Sequence, residues 1–503
     1  MAVEAPGGVA ATADAELELL PRRALVGFSL GPAVFLLLLL LPPPSGMTME
    51  AWRTAAVGIL MAVWWISEAI PIPVTALLPL VLFPVLGVAS IGEATAPFAN
   101  PVVFLSMGGF LIALAMQRWN LHRRVALHVI AVVGTRPVAV IGGFMVASAL
   151  LSMWVSNTAT AVMMLPIGMS VIALLGRTTE GTGILTTVEL ARTDNFPVAL
   201  MLGIAYACTI GGLATIIGTP PNAFLAAFML ETYGVQIGFD RWMLLGVPMM
   251  LAGLPVAWIV LTRWIYPVSD EPIEGAQDLV NDQLASLGPI SRGERMVALV
   301  FGFAALSWIS QRLLVQVIPG ISDAGIAITA AFLLFVLPVN LRAGQFLMNW
   351  EWARKVPWGV LILFGGGLSL ASAVASTGLA DWIGVSMAGL EAFQLIVIVF
   401  VVVVVTVFLT ELTSNVATAA AFLPVLASLA VGMGMDPLLL VVPAALASSC
   451  AFMLPVATPP NAIIYGSGAV TIPQMARAGL VLNVIFVGLV SLLGYTLVLV
   501  VFG

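Results

Sequence analysis

The chain has 503 residues, is 61% hydrophobic and only 8% charged, and carries a formal net charge of −6. Soluble domains run near half apolar and about a quarter charged, so this composition excludes a cytosolic enzyme, a nucleic-acid binder and a secreted scaffold. A helix needs about 20 apolar residues to cross a bilayer, which leaves room for ten or more crossings and little else. Cys208 and Cys450 lie in apolar runs, which excludes a disulfide framework or a Cys-rich metal centre. His122 and His128 share one short segment with no metal-ligand pattern around them.

In chain order, the tail 1–21 is acidic and reads as disordered. Arg22 and Arg23 precede an apolar run at 24–41 that is span-length and lacks a cleavage site, so it reads as an uncleaved first crossing. Further apolar runs fall at 53–70, 72–89, 101–118, 136–175, 198–230, 242–264, 296–314, 322–340, 358–377, 393–430, 438–468 and 478–501. Runs 136–175 and 393–430 are too long for one helix and are interrupted midway by small polar residues, so both read as re-entrant hairpins. Runs 198–230 and 438–468 are each broken by a Pro-Pro pair.

The result is an all-α polytopic membrane fold of eleven transmembrane helices plus two re-entrant hairpins. With the N-terminus cytoplasmic and the C-terminus outside, only Arg53, Arg241 and Arg312 of the 18 Lys+Arg fall outside, as the positive-inside rule requires. A polar cytoplasmic linker, 266–295, separates a first half, 22–265, from a second, 296–503. His122 and His128 fit an interfacial helix. Trp52, Trp64, Trp65, Trp350, Trp352 and Trp358 lie near run ends and read as interface anchors.

The halves repeat each other. Met107-Gly108-Gly109-Phe110-Leu111 has a counterpart in Phe364-Gly365-Gly366-Gly367-Leu368. Ser152 and Ser156-Asn157-Thr158 match Thr410 and Ser414-Asn415-Val416; Gly218-Thr219-Pro220-Pro221-Asn222 matches Ala457-Thr458-Pro459-Pro460-Asn461. An odd number of crossings separates the hairpins, so the repeat is inverted. Interrupted hydrophobic segments at corresponding places in two halves point to a secondary transporter with a site at the bilayer midplane.

Ser156-Asn157-Thr158 either caps the two hairpin helices or presents free N–H groups and neutral donors to an anion at a helix N-terminus. No span interior holds a Lys or Arg that would do this instead. Pro220 and Pro221 cannot bond the carbonyls of Ile216 and Ile217; Pro459 and Pro460 do the same to Pro455 and Val456. The freed oxygens suit a hard cation such as Na⁺, unless the pairs are ordinary kinks repaired by neighbours. Glu68 reads as an anchor of a helix end, and Glu411 as either an anchor or a functional carboxylate.

Trp64-Trp65-Ile66-Ser67-Glu68-Ala69-Ile70-Pro71-Ile72-Pro73-Val74-Thr75-Ala76-Leu77-Leu78-Pro79, both Ser-Asn turns and both Thr-Pro-Pro-Asn breaks resemble the divalent-anion/sodium symporter family. That family includes sodium-coupled dicarboxylate, citrate and sulfate transporters. The resemblance covers nearly the whole chain past the tail. It implies an elevator-type transporter, a homodimer in the bacterial inner membrane, two or more co-transported Na⁺ ions and no nucleic-acid partner. By motif it places one sodium site at Ser152, Ser156, Asn157 and Gly218, and another at Thr410, Thr413, Asn415 and Ala457. It places the substrate at Asn157, Thr158, Thr219, Ser414, Asn415, Val416 and Thr458. Val416 departs from the Thr of the first turn and removes a hydroxyl, which leaves the anion open. The expectation is sodium-coupled symport of C4-dicarboxylates such as succinate, fumarate or malate. Alternatives are a sodium-independent exchanger, or citrate or sulfate as the cargo.

Overall fold

A computed structural model describes residues 21–178, 195–386 and 393–502. The tail 1–20, and the polar insert with Arg192, lie outside the described residues. The chain is a helical polytopic membrane protein. Among the described residues, seven helices are long and apolar enough to cross a membrane, or eight if Arg292–Ile309 and Gln311–Val317, bent by 85°, form one crossing.

The chain opens with α1 (Arg22–Leu40) and α2 (Met49–Ser67), packed against each other, then α3 (Ile72–Thr75), α4 (Leu78–Leu86) and α5 (Ile91–Thr95). After α6 (Pro101–Arg118), α7 (Leu121–Ala131) carries His122 and His128, whose Nδ1 atoms meet the Met116 and Arg124 carbonyls at 3.0 and 2.7 Å. Next come α8 (Pro137–Ser152) and α9 (Asn157–Thr178), separated by a four-residue turn, 153–156. Then α10 (Phe196–Gly212) and α11 (Pro220–Tyr233) flank a seven-residue break, and α12 (Phe239–Ile259) continues as π-helix through Ile265.

The linker holds α13 (Ala276–Ser286), followed by α14 (Arg292–Ile309), α15 (Gln311–Val317) and α16 (Asp323–Val336). A small antiparallel ladder, β1 (Pro338–Asn340) with β2 (Gln345–Phe346), and α17 (Trp350–Ala353) lead into α18 (Trp358–Ser376) and α19 (Leu379–Ser386). The chain then runs through α20 (Leu395–Thr410), the turn 411–414, α21 (Asn415–Gly432), α22 (Leu438–Ser449), a nine-residue break and α23 (Pro459–Gly466). It closes with α24 (Ile472–Leu489) and α25 (Tyr495–Val501).

Small residues let these apolar helices pack closely. In lipid, association is driven by van der Waals contact rather than by expulsion of water. A Cβ on Gly211 of α10 would overlap the Ala149 backbone of α8, and Gly384 of α19 meets Gly432 of α21 in the same way. Ion pairs fasten helix ends: Arg23–Glu68 (2.6 Å), Arg124–Glu294 (2.8 Å) and Arg312–Asp240 (2.5 Å). Glu68 sits in left-handed conformation just past α2, so it anchors a helix end as its position in the sequence suggested.

Two sequence expectations are revised, and one of two open readings is excluded. Trp65 is fully buried and donates to the Ile72 carbonyl at 3.2 Å, so it is a core residue and no interface anchor. The run 296–314 is not one straight helix. Ser310 ends α14, its hydroxyl bonding back to the Leu306 carbonyl (2.6 Å), and α15 turns away so that Arg312 reaches Asp240. The Pro-Pro pairs do not kink continuous helices either: they occupy the first two positions of α11 and α23, where a missing N–H costs nothing. The polypeptide before each pair is genuinely unwound.

Candidate functional site

Each turn forms a cluster with the helix that precedes a break, and the two clusters have matching hydrogen bonds. In the first, Ser152 Oγ, at the end of α8, donates to the Cys208 carbonyl (2.7 Å) and lies against the Asn157 carboxamide. With its nitrogen turned inward, that carboxamide donates to Ser152 Oγ, to Cys208 O at 3.1 Å and to Gly218 O at 3.3 Å. With its oxygen turned inward, four oxygens from α8, α9, α10 and the break converge around one point. Such a cluster suits a small hard cation. In the second, Thr410 Oγ1, at the end of α20, stands 2.7 Å from both Asn415 Oδ1 and the Ser448 carbonyl. One hydroxyl hydrogen serves only one of those oxygens, so this cluster is also rich in acceptors.

The unwound carbonyls have dedicated partners. Asn222 Nδ2 donates to Gly212 O (3.2 Å), Leu213 O (3.3 Å) and Thr215 O (2.9 Å); Trp242 Nε1 also reaches Leu213 O (3.1 Å). At the matching position Asn461 Nδ2 donates to Ala451 O (3.4 Å) and Leu454 O (3.1 Å). In both residues the carboxamide oxygen is buried without a partner. Each Asn thus braces its break by accepting the role a helix would have filled, and each leaves one oxygen unspent.

The remaining candidates are placed as follows. Ser156 Oγ accepts from Ala159 N (3.3 Å) and Thr458 Oγ1 from Asn461 N (3.3 Å), so both cap helix starts. Thr413 turns its hydroxyl to Leu409 O (3.0 Å) and Thr418 Oγ1 (2.6 Å), away from Asn415. Gly218, Thr219, Ala457 and Thr458 are buried, whereas Thr158 is exposed and Ser414, Asn415 and Val416 are half-buried. Thr219 Oγ1 lies 3.5 Å from Ser449 Oγ, which joins the first break to the helix before the second. The halves also exchange arms: α9 packs on α23, and α21 packs on α11.

The two turns have different neighbours. Trp154 stacks on Phe239 (5.9 Å) and Trp308 (6.4 Å) and meets Phe301 edge-on (5.1 Å). At the matching position Leu412 is 60% exposed; its N–H donates to the Leu409 carbonyl (3.0 Å) and its carbonyl accepts from Arg23 Nη1 (3.3 Å). Among the described residues no group of three or more His, Cys, Asp or Glu is placed to hold a metal ion.

Sequence reasoning missed Asn222, Asn461, Trp154 and the carbonyls of Cys208 and Ser448. The two Asn residues stood inside a duplicated motif, which was the available signal. A backbone carbonyl leaves no mark in the residue type.

Residues 23–502 match the profile of the sodium:sulfate symporter transmembrane region. The chain belongs to this family of divalent anion:sodium symporters. Within it, the sodium-dependent dicarboxylate transporter SdcS of Staphylococcus saprophyticus is 42% identical over 483 residues, 95% of this chain and 92% of that protein. SdcS of Staphylococcus aureus is likewise 42% identical over the same shares. Among solved structures, the YdaH transporter of Alcanivorax borkumensis overlays with a TM-score of 0.55 at 14% identity, covering 94% of this chain and 96% of that one. MtrF of Neisseria gonorrhoeae gives 0.53 at 13% identity, covering 95% of both chains. At that identity the likeness concerns the fold alone.

Proposed function

We propose that this family member is a sodium-coupled symporter of C4-dicarboxylates such as succinate, fumarate or malate, seated in a bacterial plasma membrane. The observation that carries the reading is the pair of matched oxygen clusters, one beside each half-buried Ser-Asn turn. Na⁺ is cargo in both: Ser152, Asn157, Gly218 and the Cys208 carbonyl hold one ion, and Thr410, Asn415, Ala457 and the Ser448 carbonyl hold the other. Ser156 and Thr413 contribute through their backbone, since their hydroxyls are committed elsewhere. The dianion lies between the turns against Asn157, Thr158, Thr219, Ser414, Asn415, Val416 and Thr458. A dianion leaving water without a fixed cation needs compensating charge, which co-bound Na⁺ supplies.

The topology in this reading is eleven crossings with two re-entrant hairpins, α8–α9 and α20–α21, in inverted repeats 22–265 and 296–503 joined by the cytoplasmic linker. The N-terminus is inside and the C-terminus outside. The contacts of the turns support opposed hairpins: Trp154 meets the start of α12 and the end of α14, and Leu412 meets the start of α1 beside Glu68. The first tip is sealed by rings and the second is open, which suits an inward-facing stage of an elevator cycle in a homodimer. The test is uptake of labelled succinate into proteoliposomes with external Na⁺ or choline. Na⁺ should raise the initial rate at least tenfold, and Asn157→Ala and Asn415→Ala should each abolish the stimulated rate. Equal rates in the two media refute the reading.

A further inference from the structure

Glu411 is 3% exposed and follows Thr410 directly at the end of α20. Its Oε1 accepts from Phe452 N (2.7 Å), Met453 N (2.9 Å) and Asn483 Nδ2 (2.7 Å), and its Oε2 from Leu454 N (3.1 Å). All four partners are donors. A carboxylate satisfies such a set, whereas a protonated acid would need an acceptor for its own hydrogen. The three ion pairs among the described residues lie elsewhere, so no basic side chain there balances this charge. A buried charge with hydrogen bonds but no counter-ion is costly to keep.

The surroundings say what the counter-ion is. The three N–H groups lie inside the break that contains Ala457, and chain geometry keeps the carboxylate within about 10 Å of the Thr410 hydroxyl. In the first half the matching position is Met153. Its carbonyl accepts from Thr215 Oγ1 (2.5 Å), so a neutral hydroxyl ties that turn to its break. The two clusters therefore share a hydroxyl, a carboxamide and carbonyls, and differ by one full negative charge.

Resting on the sodium-coupled reading above, we propose that Glu411 is a positioning residue whose fixed charge makes the two cation sites unequal. The Asn415 site fills first and more tightly, and the Asn157 site fills second. Glu411 touches no cargo; it acts through the electric field at the second cluster and through the break that it holds.

The test is binding of ²²Na⁺ to the full-length purified protein in nanodiscs, without dicarboxylate. The wild type should show two classes of site at least tenfold apart in Kd. Glu411→Gln, which keeps shape but removes charge, should weaken the tight class at least tenfold. Asn483→Leu removes one donor but leaves the charge; it should lower Tm while preserving two classes. Where Glu411→Gln does not fold, Glu411→Asp serves: the tight class should survive within about threefold, and its loss overturns the proposal. One class in the wild type, or an unchanged tight class in Glu411→Gln, also overturns it. Absence of any Na⁺ binding to the wild type sinks instead the sodium-coupled reading on which it stands.

Discussion

Trp154→Leu gives the first turn the side chain that the second turn carries at Leu412. The substitution removes three ring contacts, to Phe239, Phe301 and Trp308, while keeping an apolar residue of moderate size. Each aromatic pair contributes about 0.5–1.5 kcal/mol beyond its buried area. Allowing for what Leu retains, the closed arrangement of this tip should lose about 2 kcal/mol. That moves an equilibrium between closed and released tip about 30-fold. The readout is a thiol at the neighbouring position: Val155→Cys, where the native side chain is 1% exposed. In the proposed topology this tip points outward, so a membrane-impermeant maleimide added outside reacts only from the released form and its rate follows the population of that form. The rate should rise about 30-fold when Trp154→Leu is added. Cys208 and Cys450 are fully buried and serve as internal controls, because general loosening would expose them as well. An unchanged rate at position 155, or a rise shared equally by the two native thiols, refutes the reasoning.

Four further substitutions test the scaffold around the clusters. Asn222→Ala strips the shared donor from three carbonyls of the first break, and Asn461→Ala strips it from two of the second. A buried polar group left unpaired costs about 1–3 kcal/mol, so both variants should unfold at lower temperature, Asn222→Ala more so; equal Tm to wild type in detergent would refute the bracing role. Gly211→Val forces side-chain atoms into the Ala149 backbone and should cost about 1–3 kcal/mol or more, seen as a fall in Tm and yield. Gly302→Ala on α14 meets nothing within 4 Å and should be neutral or stabilising by up to about 1 kcal/mol; a matching loss in both variants would show that crowding is not the cause.

Much of the site was legible because lipid leaves few options. Backbone cannot unwind in hydrocarbon without a purpose, so small polar residues and Pro pairs inside oily runs marked the turns and breaks before any coordinates. Duplication then separated Asn157 and Asn415 from incidental polar residues. Glu411 resisted assignment because its meaning lies in Phe452, Met453, Leu454 and Asn483, which are 41 to 72 positions away. The Ser and Thr hydroxyls were half legible: Ser152 and Thr410 face the clusters, but Ser156 and Thr413 satisfy nearby backbone instead. Both outcomes are open to a hydroxyl near a helix end, and local sequence does not choose between them.

The sequence by itself determined that the chain lives in a bilayer, which of its segments are oily enough to do so, and where they are interrupted. Those properties follow from side-chain transfer energies and from the proline ring, and neither depends on what a residue packs against. Tertiary structure alone decided which carbonyls join each cluster, how Asn222 and Asn461 brace the unwound chain, and why Trp154 is sealed while Leu412 is open. Those depend on which groups from distant segments arrive at hydrogen-bond or ring-contact distance, and only the packed bundle sets that.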